Sequence, residues 1–246
     1  MKQLQIILFF SLAVNVLGIA QNPNNKYQIY IDIAHKQRFW NDPADMNGMD
    51  KNLVNRVKYM TDEIVKNAKS NNAELKYLKQ EIKPGDLLNC NLLFIHIPSA
   101  KYSKGEIKAI QNYIEMGGSL FLVMDADYWS TLEQTNVNEI IEPFGIQFGS
   151  DSQDTIVGGC SKGGIICSKT LKIPYHGARI VNGGNAFCFN KESADEPFGV
   201  YKKLKGGGKL IVMGEAMVSL YMTSWQGVTD YQCSEFMEDV FRWLLK

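Results

Sequence analysis

Two acids separated by one residue, followed by two aromatics, close the apolar run in "SLFLVMDADYW", residues 119–129. Asp125 and Asp127 are suited to acid/base work, to oxygen ligation of a metal alongside imidazoles, or to hydrogen-bonding a polar ligand stacked on Trp129. A second set follows "YQIYIDIA", where His35, Arg38 and Trp40 leave a strand-like segment together. His96 and Ser99 close "NLLFIHIPS", and Glu215 follows "KLIVMG". Each also has a plainer role open to it. His96, between Ile95 and Ile97, equally fits a core histidine, Asp125 a cap, and Trp129 a core cover.

These groups share a site only if the elements beneath them run in the same direction. "YQIYIDIA" (27–34), "AELKYLKQ" (73–80), "NLLFIHIP" (91–98), "SLFLVMD" (119–125) and "KLIVM" (209–213) are short, apolar and rich in strand formers. Between them, Leu53, Val57, Met60, Ile64 and Ala68 recur at helical steps. Ser103 with Glu106 makes a capping box for a second helix, which Gly117-Gly118 stops. Ser130 is placed to cap a third helix reaching about Ile141, and Phe236, Val240 and Leu244 share a face of a last one.

Alternation of this kind predicts an α/β fold, a mostly parallel open sheet flanked by helices. In such sheets ligands bind beyond the carboxyl ends of the strands. The predicted cleft therefore gathers His35, Arg38, Trp40, His96, Asp125, Asp127, Trp129 and Glu215. From about 146 to 205 the helical period disappears and glycines punctuate short pieces, which predicts a β-rich hairpin insertion. "GGCSKGG" (158–164) there lacks the phosphate-loop spacing and reads as a hairpin turn. His176, in the same region, has no position fixed by the sequence.

The formal net charge is zero and no basic run occurs, which argues against a nucleic-acid partner. "MKQLQIILFFSLAVNVLGIAQ" has a basic start, an apolar middle and small residues at Gly18 and Ala20. That pattern predicts a signal peptide over 1–20, cleavage before Gln21, and a single domain over 21–246 that is periplasmic or extracellular without a membrane anchor. Of the five cysteines, Cys90 and Cys233 read as buried thiols, while Cys160, Cys167 and Cys188 share the glycine-rich region, where a disulfide is open to them. Their spacing matches no zinc pattern, and no metal or cofactor is expected.

"LLFIHIPSAKYSKGEIKAIQNYIEMGGSLFLVMD", with "GGGKLIVMGEA" and "FMEDVFRWLL", resembles the class I glutamine amidotransferase-like superfamily, which is flavodoxin-like. Within it the chain looks closest to families of exported bacterial proteins that lack the catalytic Cys-His pair. The resemblance implies a nucleophilic Cys where "LVMDADYW" has none, and a His before Glu215 where none occurs. A carboxylate does not replace a thiolate in acyl transfer, so glutamine hydrolysis is not expected. The expected function is an exported, non-catalytic ligand-binding or accessory protein taking a glycan or other small polar ligand. The alternatives are a hydrolase using Asp125 or Glu215 with His35 or His96, and a protein partner met through the β-rich insertion.

Overall fold

The computed structural model describes residues 26–38, 40–152, 157–190 and 196–246. The expected leader lies outside the described residues. The strands are β1 (Tyr27–Asp32), β2 (Ala73–Leu78), β3 (Leu92–His96), β4 (Ser119–Val123), β5 (Ile146–Asp151), β6 (Val157–Ser161), β7 (Leu171–His176), β8 (Arg179–Gly183), β9 (Asn185–Asn190), β10 (Pro197–Lys203) and β11 (Lys209–Met213). The α-helices are α1 (Lys51–Ser70), α2 (Lys104–Glu115), α3 (Leu132–Thr135), α4 (Asn138–Ile141), α5 (Met217–Leu220) and α6 (Cys233–Leu245).

Nine strands form one sheet in the order β2-β1-β3-β4-β11-β10-β9-β6-β7, and β5 pairs with β8 in a second, two-stranded sheet. The expectation of a mostly parallel, flavodoxin-like sheet with an inserted hairpin region is corrected here. β2, β1, β3, β4 and β11 run parallel, but β10, β9, β6 and β7 continue the same sheet with antiparallel pairing. The hairpins are half of a mixed sheet and not an appendage. A continuous apolar run such as "KLIVM" reports burial on both faces of a strand, and carries no record of its neighbour's direction. β11 is the strand where the two halves meet, parallel to β4 on one side and antiparallel to β10 on the other.

Helices cover both faces. α1 is capped by Asp50, whose side chain accepts from the N–H groups of Asn52 and Leu53, and buries Val57, Met60 and Ile64. With α6 it covers one hydrophobic layer, in which Phe94, Phe121, Phe198 and Phe236 are packed. α2 begins at the predicted Ser103–Glu106 capping box and joins α4 over the opposite layer, with Ile110, Ile114 and Leu122. The expected helix from Ser130 to Ile141 is broken. Ser130 Oγ donates to the Pro98 carbonyl, Thr131 is the cap of α3, and Asn136 at φ 46° ends it before α4 starts. The five cysteines are all free thiols.

Candidate functional site

The carboxyl ends of β4 and β11 meet a residue the sequence did not single out. Arg179, the first residue of β8, is 1% exposed, and every donor it uses is spent on this junction. Its Nε donates to the Asp125 carbonyl (3.2 Å), Nη1 to the Gly149 carbonyl (3.0 Å), and Nη2 to Asp127 Oδ1 (2.6 Å), with Asp151 Oδ1 at 3.1 Å. Asp151 in turn accepts from the Asp127 N–H. A planar guanidinium with five donors suits this task, because it binds carbonyls and carboxylates from two segments at once. Gly214 makes the approach close enough. The Arg179 N–H donates to the Gly214 carbonyl, and the Gly214 N–H donates to the Phe198 carbonyl.

Asp125 and Glu215, expected to share a cleft, are brought together but buried, at 4% and 1% exposure. Asp125 Oδ1 accepts from the Ala126 N–H and Oδ2 from the Ala216 N–H, 91 residues away. Glu215 Oε1 accepts from the Met217 N–H (2.8 Å) and Oε2 from the His176 N–H (2.9 Å). Burial pushes the Asp125 carboxyl up to about 6 against those N–H bonds, which favour its anion. Burial, and then the charge of Asp125, pushes Glu215 above the usual carboxylate range. Two acids in this setting serve as internal clamps on backbone N–H groups.

That pair has a measurable consequence. An acid whose folded pKa is raised contributes stability below its unfolded value of 3.8, and that stability is lost as pH rises toward about 6. Through Asp125 the folded state should lose on the order of 1–3 kcal/mol across that interval. Asp125→Asn, although less stable because one N–H loses its acceptor, should lack this slope. Urea denaturation of both proteins at several pH values measures it, and identical slopes would refute the assignment.

His35 sits in a different network. It is 5% exposed, with Nδ1 2.9 Å from Asp32 Oδ2 and Nε2 3.2 Å from Glu106 Oε1. Its ring stacks on Tyr102 at 3.7 Å, and the Tyr102 hydroxyl donates to the same Asp32 oxygen (2.6 Å). Glu106 also accepts from the Ile82 and Ser103 N–H groups. Burial alone would lower the imidazole pKa, but Asp32 and Glu106 outweigh it and the net shift is upward. Glu106 moves downward, because the Ile82 and Ser103 N–H groups, with His35, outweigh its burial. This is a charged latch between the end of β1 and the start of α2. Asp32, Tyr102 and Glu106 were missed as a set. Glu106 was visible only as a capping residue, and Asp32 lay inside an apparent strand.

The remaining candidates are spread along the same edge. His96 is fully buried, with Nε2 2.8 Å from Ser219 Oγ, and burial drives its pKa down to about 3. Trp40 is equally buried and packs edge-on to Phe94 and His96. Arg38 Nε donates to the Trp129 carbonyl (2.8 Å), which laces the loop after β1 to the loop after β4. Trp129 packs partly buried against the core, while its neighbour Tyr128 is exposed. Three cavities, of about 660, 580 and 560 Å³, open elsewhere, and none is lined by these residues. Among the described residues no group of three or more His, Cys, Asp or Glu is arranged to hold a metal. No helix among them is long and apolar enough to cross a membrane.

The comparisons with known proteins give this geometry a context. The family model that matches is the IFT52 GIFT domain, over residues 47–157. Among solved structures, the chain is similar to the mmIFT52 N-terminal domain, with a TM-score of 0.61 and 20% identity over 88% of this chain and 96% of that one. It is also similar to the exo-beta-1,4-mannosidase Op5Man5 from Opitutaceae bacterium strain TAV5, with a TM-score of 0.52 and 12% identity over 88% of this chain and 35% of that one. A putative GMP synthase component from Thermoplasma acidophilum gives a TM-score of 0.50 and 11% identity over 90% and 93% of the two chains. At these identities the likeness is one of fold. No curated protein matches in sequence.

These findings correct several expectations. The family model that matches is of the IFT52 kind and not glutamine amidotransferase-like, and the mixed sheet goes with the fold of the IFT52 N-terminal domain. The exported ligand-binding or accessory protein, and the hydrolase held as its alternative, are replaced together. The same match also overturns the expected periplasmic or extracellular location. No glycan ligand is supported, whereas protein partners are.

Proposed function

We propose that the chain is a protein-docking module of an intraflagellar-transport assembly, intracellular and cilium-associated, that meets its partner through the antiparallel half of the sheet. The observation that carries this reading is the agreement of the family model over 47–157 with the structural likeness to the IFT52 N-terminal domain, which spans 88% of the chain. The chemistry of the sheet edge supports it. Asp125, Glu215, Arg179 and His35 are occupied by internal hydrogen bonds, so they fix a surface for docking rather than a pocket for turnover. In the hairpin half, Val157 and Ile165 are 56% and 67% exposed, as apolar residues awaiting a partner would be.

A photo-crosslinking residue at Ile165, in ciliated cells expressing the tagged chain, tests this. We expect a crosslink to one defined member of the transport complex, ciliary localisation of the tag, and no such crosslink from Tyr59 on α1. Absence of the tag from cilia, or no crosslink from Ile165, overturns the reading.

A further inference from the structure

The two edges of the large sheet are treated differently. At β7 the edge is closed from within the chain: the Gln232 N–H donates to the Lys172 carbonyl, and Gln232 Oε1 accepts from the Lys172 N–H. At β2, among the described residues, every backbone bond runs inward to β1. The Tyr27 N–H donates to the Asn72 carbonyl and the Ile33 N–H to the Leu78 carbonyl, both at 2.9 Å. Alternate residues of a strand point their backbone groups to opposite sides. Because Asn72 and Leu78 both turn inward, the even-numbered residues between them do too. Ala73, Leu75 and Tyr77 therefore present free N–H and C=O groups outward, which is an open template for strand pairing.

The side chains of that edge select an occupant. We infer that β2 pairs with β2 of a second copy of this chain, antiparallel and two-fold symmetric about Leu75, joining two nine-stranded sheets into one. A symmetric pair must bring outward residues opposite outward residues, which leaves three central registers. Centring on Glu74 sets two glutamates face to face, and centring on Lys76 sets two lysines face to face. Centring on Leu75 places Glu74 opposite Lys76 of the second copy, twice by symmetry. In that register Leu75 faces Leu75, and Ala73 faces Tyr77, as pairs that exchange both hydrogen bonds. Glu74 and Lys76 then fall at the closer, non-hydrogen-bonded positions. Both are exposed and lie on the same face of the strand. The charges thus reward one register and penalise its neighbours.

The opposite face of β2 supplies an apolar contact. A cavity of about 580 Å³ opens between α1 and the strand, lined in part by Val65, Ala68, Leu75 and Tyr77. Pairing about Leu75 brings Leu75 of the second copy alongside this cavity. The charges already have local partners, since Glu74 pairs with Lys26 and Lys76 lies 4.7 Å over the Tyr30 ring. Both contacts belong to the monomer, and neither uses the outward backbone.

Sedimentation of the purified chain over a wide concentration range tests the inference, with circular dichroism to confirm that each variant folds. We expect a reversible dimer. Glu74→Lys or Lys76→Glu alone creates two like-charge pairs and should weaken it roughly tenfold. The double swap Glu74→Lys with Lys76→Glu restores opposite charges and should recover the dimer, although it restores neither the Lys26 pair nor the contact with Tyr30. Hydrogen exchange should slow at the Leu75 and Tyr77 amides as concentration rises, while the Lys76 amide, bonded to β1, stays protected throughout. A monomer at every concentration overturns the proposal, including one whose Leu75 amide is protected regardless of concentration. A dimer equally tight in the single and double variants also overturns it. None of these outcomes bears on crosslinking at Ile165, so the two proposals fail separately.

Discussion

Gly214→Ala should be among the most damaging single substitutions in this protein. A Cβ there would stand 1.8 Å from the carbonyl oxygen of Arg179 and 2.7 Å from its carbonyl carbon. These are backbone atoms, so no side-chain rotation relieves the overlap. β8 would have to withdraw, breaking the bond from the Arg179 N–H to the Gly214 carbonyl and moving the guanidinium away from Asp127. Overpacking a core usually costs ~1–3 kcal/mol, and a backbone collision that also pulls the buried Arg179 guanidinium from its acceptors belongs at or beyond the upper end, about 3–5 kcal/mol. Gly85→Ala is the matched control, because nothing lies within 4 Å of its Cβ position. Urea denaturation of the two variants decides it. A Gly214→Ala protein as stable as Gly85→Ala would mean that β8 does not approach β11 this closely.

The same glycine shows where sequence legibility stops. The apolar runs at 92–96, 119–123 and 209–213 and the Ser103–Glu106 box are local signals, and the strands and the α2 cap form at those places. "VMGEA" presents Glu215 openly, and its glycine looks like an ordinary loop residue. Its reason is a strand 35 positions earlier, and no local period records a contact of that kind. Arg179 was overlooked likewise. "HGAR" lies in a glycine-rich stretch, and a lone arginine there reads as solvent-exposed until β8 carries it under Asp125.

The candidate list was partly legible for a related reason. Strand ends could be read, so His35, Asp125 and Glu215 were placed on one edge of the sheet. Whether such a residue faces solvent or turns inward depends on partners supplied by other segments. Ala216 and His176 offer backbone N–H groups to the two acids, and Glu106 and Tyr102 come from the α2 region to enclose His35. The direction of pairing beyond β11 was lost for the same cause, since antiparallel partners are chosen by turns and long-range fit.

Removing Asp32 should open the β1–α2 latch and cost about as much as Gly214→Ala. Its carboxylate accepts from the Ala34 N–H, the Tyr102 hydroxyl and His35 Nδ1, and its side chain is fully buried. Asp32→Ala leaves a buried imidazolium with one carboxylate instead of two, and a tyrosine hydroxyl without its acceptor. Breaking a buried ionic pair in this way costs roughly 3–5 kcal/mol. The pH dependence identifies the cause. His35 is raised above 6.5, so its contribution is complete below that value and is lost as pH rises through its folded pKa. Glu106 is lowered from 4.5, so its contribution is present above that value and is lost as pH falls through its folded pKa. The destabilisation by Asp32→Ala should therefore be largest between about pH 4.5 and 6.5 and should shrink as His35 becomes neutral on the alkaline side. Tyr102→Phe, which removes one hydrogen bond to a charged acceptor and keeps the stacked ring, should cost ~1.5–3 kcal/mol. Chemical denaturation of the three proteins at pH values on both sides of that window measures these effects. A penalty for Asp32→Ala that does not change with pH would show that the histidine between the two carboxylates carries no charge, and the latch would then be held by packing alone.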